Sequence, residues 1–164
     1  MNLKNLLEKE SVKKVNNFLI KNKQDTKLIV LENTARTSQD AANSLNVELG
    51  SIVKTLIFNS SLNDEYYVCL VSGDKYISIH KLNTLISNKI KKASAKEVKE
   101  NTGFSIGGVA PIAFLHPPTL IIVDYNLNRF DKIFAAAGHP HVVFETTFAK
   151  LVKMIPCKVV DIVE

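Results

Sequence analysis

The chain has 164 residues, 46% apolar and 23% charged, which suits a single domain with a core of its own and excludes wholesale disorder. Its net charge of +5, from 21 basic and 16 acidic residues, permits an anionic partner without specifying one; 19 of the 21 are lysine in a chain rich in Asn and Ile, a pattern that base composition alone can produce. Apolar runs such as residues 120–123 and 133–137 fall far short of the about 20 residues of a membrane helix, and the polar start offers no secretory signal.

The amphipathic stretch at residues 11–22, with Val12, Val15, Phe18 and Leu19 on one face, predicts the main part of an N-terminal helix spanning about residues 3–22 and packed on the domain. Residues 27–31 read as a strand. Thr37-Ser38-Gln39-Asp40 has the form of a capping box and predicts a helix over residues 38–45. Two β-rich runs, residues 52–58 and 66–72, are joined by a polar connection and predict a hairpin. A short helix is expected at residues 81–87, and a second capping box, Ser94-Ala95-Lys96-Glu97, starts a helix that Gly103 should end.

Residues 103–118 hold three of the six glycines and three of the five prolines beside Phe104, Ile106, Val109, Ile112, Phe114 and Leu115. A loop so apolar should fold against the core. Strands are expected at residues 119–123, 132–136, 141–145 and 158–163, with a short helix at 148–155. There is no repeat and no linker, so residues 1–164 read as one domain of mixed strands and helices.

Three features bear on chemistry. Lys54 interrupts a strand that otherwise looks buried on both faces; it is either an edge-strand lysine that deters aggregation or a cation at a pocket floor. Gly107-Gly108-Val109-Ala110-Pro111 is either a structural turn or a loop whose amides face a ligand. It is neither a Walker A loop nor a dinucleotide fingerprint. In Ala137-Gly138-His139-Pro140-His141 the two histidines share a face at i and i+2, as some metal sites require. No carboxylate or cysteine follows at ligand spacing, Asp124 and His116 being distant, so a hydrogen-bonding role for His139 is favoured over a metal site. Cys69 and Cys157 stand far apart with no CxxC pattern, as buried small hydrophobes in a reducing compartment would.

In this order (a strand lysine, a GG-x-x-P loop, an Ala-Gly-His-Pro turn) the features resemble the YbaK/prolyl-tRNA synthetase-associated editing domain family. Residues Thr34 to Ala42 and Val47 are similar to that family's opening segment, and the likeness runs from about residue 28 to the C-terminus. The resemblance implies an α+β (mixed α/β) fold, a curved, partly closed mixed β-sheet flanked by helices. It implies a free-standing, cytoplasmic hydrolase that deacylates mischarged aminoacyl-tRNA, foremost tRNA(Pro) carrying a small wrong amino acid. Its partners would be the aminoacyl-tRNA acceptor end and prolyl-tRNA synthetase, not DNA or a membrane, and it would need no cofactor and no metal.

By the same resemblance Lys54, Gly107, Gly108 and Pro111 form the catalytic set, the lysine holding the terminal nucleotide and the loop surrounding the aminoacyl carbonyl. Arg36, Thr37, Gly138 and His139 would contact substrate, with Gly138 and His139 on the amino-acid side. Readings from other classes are a non-catalytic RNA- or nucleotide-binding module, an adaptor, and a metal hydrolase using His139 and His141.

Overall fold

The structure, a computed structural model, describes residues 2–33 and 35–164; Thr34, part of the family-like opening segment, lies outside them. Eight strands form one mixed sheet: β1 (Leu28–Val30), β2 (Ile52–Ser60), β3 (Tyr66–Ser72), β4 (Ile90–Lys92), β5 (Leu120–Asp124), β6 (Ile133–His139), β7 (Val142–Thr146) and β8 (Lys158–Val160). Their order is β1-β7-β6-β2-β3-β5-β8, with β4 also paired to β2. Among the described residues five α-helices accompany them: α1 (Glu10–Lys21), α2 (Ser38–Leu45), α3 (Ile79–Ile86), α4 (Ala95–Thr102) and α5 (Phe148–Met154).

Most elements fall where their residues suggest. Both capping boxes form: the Thr37 hydroxyl accepts from the Asp40 amide, Ser94 accepts from that of Glu97, and each acidic side chain accepts the cap residue's own amide in return. Gly103 ends α4 at φ +77°, a conformation that favours glycine. The loop after it does pack inward. Phe104, Ala110 and Ile112 are buried, and the amides of Leu115 and His116 donate to the carbonyls of Thr102 and Asn101.

Two expectations, on the first helix and the last strand, need correction. The helix expected over residues 3–22 is broken: a 3₁₀ turn at Leu3–Leu6 precedes α1, and Lys9 between them is extended, with no side chain capping the new start. The sheet, mixed and flanked by helices as expected, is unclosed, with β1, β8 and β4 each paired on one side only. The last strand stops at Val160, because the buried Asp124 carboxylate takes the amides of Asn126 and Ile162 and turns the chain there. That use also accounts for Asp124, one of the distant metal-ligand candidates.

β2 organises the molecule. Along one side it pairs with β3 over Val53–Asn59. Along the other side its first residues pair in parallel with β6 (Ile52↔Phe134, Val53↔Ala135) and its last pair antiparallel with β4 (Phe58↔Lys92 to Ser60↔Ile90). Between those two partners the sheet forks, and residues 54–56 have no strand beside them on that edge.

Strand alternation then sorts the side chains. Val53 and Ile57 face the main core with Val68, Leu70, Phe104 and Phe144, beneath Val12, Val15 and Leu19 of α1. The opposite face carries two separate apolar patches: Phe58, Tyr67, Cys69 and Val71 under Leu82 of α3, and Ile52, Phe134 and Val143 under Ala41 and Ala42 of α2. Lys54 lies between these patches, where neither helix covers the sheet.

Candidate active site

A cavity of about 240 Å³ opens at the fork and wraps the free edge of β2. One wall is Ala35, Arg36, Thr37, Ser38 and Ala41 at the start of α2; another is Ile106, Gly107 and Val109; His139 and Pro140 complete it beside Lys54, Thr55, Lys92 and Ala93. Its volume sits below the roughly 300–1,000 Å³ of most small-molecule pockets, so it takes a compact group and leaves the rest of a larger ligand at its mouth.

The fork sets the surroundings of Lys54. β2 is an inner strand, yet at Lys54 its edge between β6 and β4 carries no strand and opens on the cavity. Its ammonium donates to the Lys75 carbonyl and sits 5.0 Å over the Tyr76 ring. Partial burial lowers its pKa from 10.5, an effect that Asp74 opposes. Asp74 is itself engaged, because Arg129 donates to both of its carboxylate oxygens at 2.7 and 3.1 Å. Among the described residues neither Lys54, Arg36 nor Lys92 forms a salt bridge, and no carboxylate lines the cavity. Three cations outside any salt bridge suit an anionic ligand.

The glycine loop is shaped by two distinct demands. Gly107 has φ +92°, where a side chain would strain the backbone. Gly108 lies against the next turn: a Cβ there would stand 2.8 Å from the Cα and N of His139. Its amide is already donated to the Ser105 carbonyl at 3.0 Å, whereas the amides of Gly107 and Val109 donate to no group among the described residues. Two amide donors thus remain on this wall.

His139 owes its position to a bulge. The β6–β7 register shifts between Ala136 and His139, and Gly138 within the bulge has φ +89°. A Cβ on Gly138 would lie 2.2 Å from the Ser11 carbonyl oxygen, so α1 packs directly on this turn. His139 Nδ1 accepts from the His141 amide at 3.1 Å, which fixes the neutral ring with its proton on Nε2. Burial, then Lys9 and His141, lowers the His139 pKa and favours that neutral form. His141 is arranged oppositely: its Nδ1 faces the Leu31 carbonyl at 3.1 Å and must be the donor. Among the described residues no group of three His, Cys, Asp or Glu side chains is placed to hold a metal ion.

Five of the eight residues singled out in the sequence therefore meet on the cavity wall: Lys54, Gly107, Arg36, Thr37 and His139. Gly108, Pro111 and Gly138 do not line it; they are buried behind it. Thr37 spends its hydroxyl on the α2 cap. Sequence reading missed Lys92, because β4 is a three-residue strand with no usable periodicity. It also missed Thr55, whose buried hydroxyl has no hydrogen-bond partner among the described residues. The one cue for Thr55 was its place next to the anomalous lysine.

Residues 32–154 match the model of the aminoacyl-tRNA editing domain. The chain is 30% identical over 137 residues to the uncharacterized protein YwhH of Bacillus subtilis, covering 84% of this chain and 86% of that one. It is 31% identical over 104 residues to the proline–tRNA ligase of Thermosipho africanus, a match that covers 63% of this chain and only 18% of the ligase. A crystal structure of a candidate trans-editing enzyme for prolyl tRNA synthetase superposes with a TM-score of 0.88 at 30% identity, covering 95% of this chain and 98% of that one. No described helix is long and apolar enough to cross a membrane. The chain belongs to the aminoacyl-tRNA editing domain family.

Proposed function

We propose that the protein is a trans-acting deacylase of mischarged aminoacyl-tRNA, and that tRNA(Pro) carrying a small wrong amino acid is its substrate. The observation that carries this reading is the make-up of the cavity: cations outside any salt bridge on one side of β2 and unpartnered amides on the other. An aminoacyl ester at an RNA 3′ end needs both.

In this reading Lys54 holds a phosphate or the terminal ribose, with Arg36 and Lys92 adding positive charge at the mouth. The ester carbonyl points toward the amides of Gly107 and Val109. A water oxygen adds to the acyl carbon, and the developing oxyanion is stabilised by those donors, each typically worth about 3 kcal/mol. The bond from carbon to ribose oxygen then breaks, and the proton from water ends on that oxygen.

The ester is already activated, so orientation and oxyanion stabilisation supply the catalysis and no side-chain nucleophile is required. His139 is not the base: its Nδ1 lone pair is taken by the His141 amide, leaving an Nε2–H that donates to the aminoacyl group. Gly108, Pro111 and Gly138 act behind the wall, keeping the loop and turn close together. The apolar Ile106, Val109 and Pro140 limit the side chain admitted, discriminating by size at about 1–3 kcal/mol per methylene.

The test is a deacylation panel with purified protein and Ala-, Cys-, Ser-, Thr- and Pro-charged tRNA(Pro), with and without EDTA. Hydrolysis of a mischarged species that spares Pro-tRNA(Pro) and resists EDTA is the expected result. Loss of activity with EDTA, restored by zinc, would move the chemistry to a metal; no hydrolysis at all would favour a binding module.

A further inference from the structure

We infer that Tyr76 is a stacking platform for a nucleobase at the mouth of the cavity, outside the residues that line it. The inference rests on the deacylase reading for the identity of the ligand, an RNA 3′ end, but on separate geometry for the site.

Tyr76 lies in the turn between β3 and α3, and its backbone is held on several sides. The Glu164 amide donates to its carbonyl at 3.0 Å, Ile77 bridges to Val163, and the preceding Lys75 carbonyl receives the Lys54 ammonium. The residue is 74% exposed. A large aromatic on an anchored backbone, left in water, has little freedom of position to lose when a planar partner lands on it.

Its location is specific. Lys54 Nζ is 5.0 Å from the ring centroid, so the ring stands beside the cation that lines the cavity. Lys54 projects from the face of β2 opposite to Val53 and Thr55, which lie on the side of the Gly107 loop. A ligand whose acyl end meets that loop and whose phosphate or ribose meets Lys54 must cross the free edge of β2. Its next planar group then emerges on the Lys54 face, over Tyr76. The small cavity requires such an exit, since it cannot enclose a whole nucleotide together with an acyl group.

The experiment uses the trinucleotide CCA with 2-aminopurine in place of the terminal adenine, whose fluorescence is quenched on stacking, alongside steady-state deacylation of the charged tRNA. Wild-type protein should quench the probe, Tyr76→Phe should do so equally, and Tyr76→Ala should lose the quenching while KM rises about tenfold or more. To separate stacking from mere support of the lysine, the comparison is repeated in a Lys54→Ala background at saturating probe. Quenching that still depends on Tyr76 there supports the platform; quenching unaffected by Tyr76→Ala in either background overturns it. If the wild type quenches the probe yet deacylates nothing, the deacylase reading fails and the platform stands. If Tyr76→Ala deacylates with unchanged KM and unchanged quenching, the platform alone fails.

Discussion

In the proposed mechanism Lys54 carries most of the site's charge, and the physical reason is the fork around it. A partly buried ammonium with one carbonyl acceptor and a distracted carboxylate neighbour has charge to spare for a ligand. Lys54→Ala should lower kcat/KM for deacylation about 10²-fold, the equivalent of about 3 kcal/mol for a charge-assisted contact, and leave the fold intact. Unchanged kinetics would remove Lys54 from the site. The direction of its pKa adds a second readout. Burial favours the neutral amine, so the cation is lost at a lower pH than that of an exposed lysine, and activity should decline on the alkaline side before pH 10.5. Lys54→Arg keeps its charge throughout and should move that decline upward, measured after correction for spontaneous ester hydrolysis. His139 contrasts with Lys54: what defines it is a hydrogen bond from its own chain, which removes the one lone pair a base would need.

At the scale of elements, the cavity depends on parts that never touch its lumen. Gly138 joins α1 to the β6–β7 bulge, with φ +89° and no room for a side chain against Ser11. Gly138→Ala combines a strained backbone with a backbone clash, and it should cost more than about 1 kcal/mol of stability. Because the same residue aims His139, deacylation should fall further than the loss of folded protein explains; urea unfolding followed by kinetics at a folded temperature separates the two. What the sequence revealed at this scale follows from range. Capping boxes at Thr37 and Ser94 are local devices, complete within four residues, and α2 and α4 begin where they dictate. The hairpin of β2 and β3 is local as well. The extra partner of β2, the separation of its outer-face patches and the approach of Ser11 to Gly138 are set by contacts between distant segments, and no window of sequence contains them. Lys54 was conspicuous because it broke a pattern, whereas Lys92 followed none and became a cavity residue only through β4.

For the molecule as a whole, the net charge of +5 is weak support for nucleic-acid binding until its distribution is considered. Among the described residues five lysines, Lys13, Lys81, Lys91, Lys96 and Lys132, are paired with carboxylates on the outer surface. Arg36, Lys54 and Lys92 are different, since they share one cavity that no carboxylate lines. A protein using these three against a single-stranded acceptor end displaces about three counterions, and each contributes a slope of roughly 0.7 to the dependence of log affinity on log salt. The expected slope is therefore about −2 between 50 and 200 mM salt, or steeper if the surface adds contacts. Lys92→Ala should reduce its magnitude by roughly 0.7 without altering kcat, because this residue stands at the mouth rather than beside the acyl group. Lys132→Ala, exposed just before β6 and paired with Glu145, should leave the slope unchanged. Equal effects of the two substitutions would mean that the general positive field binds the RNA; an effect confined to Lys92 would assign that work to the fork in the sheet.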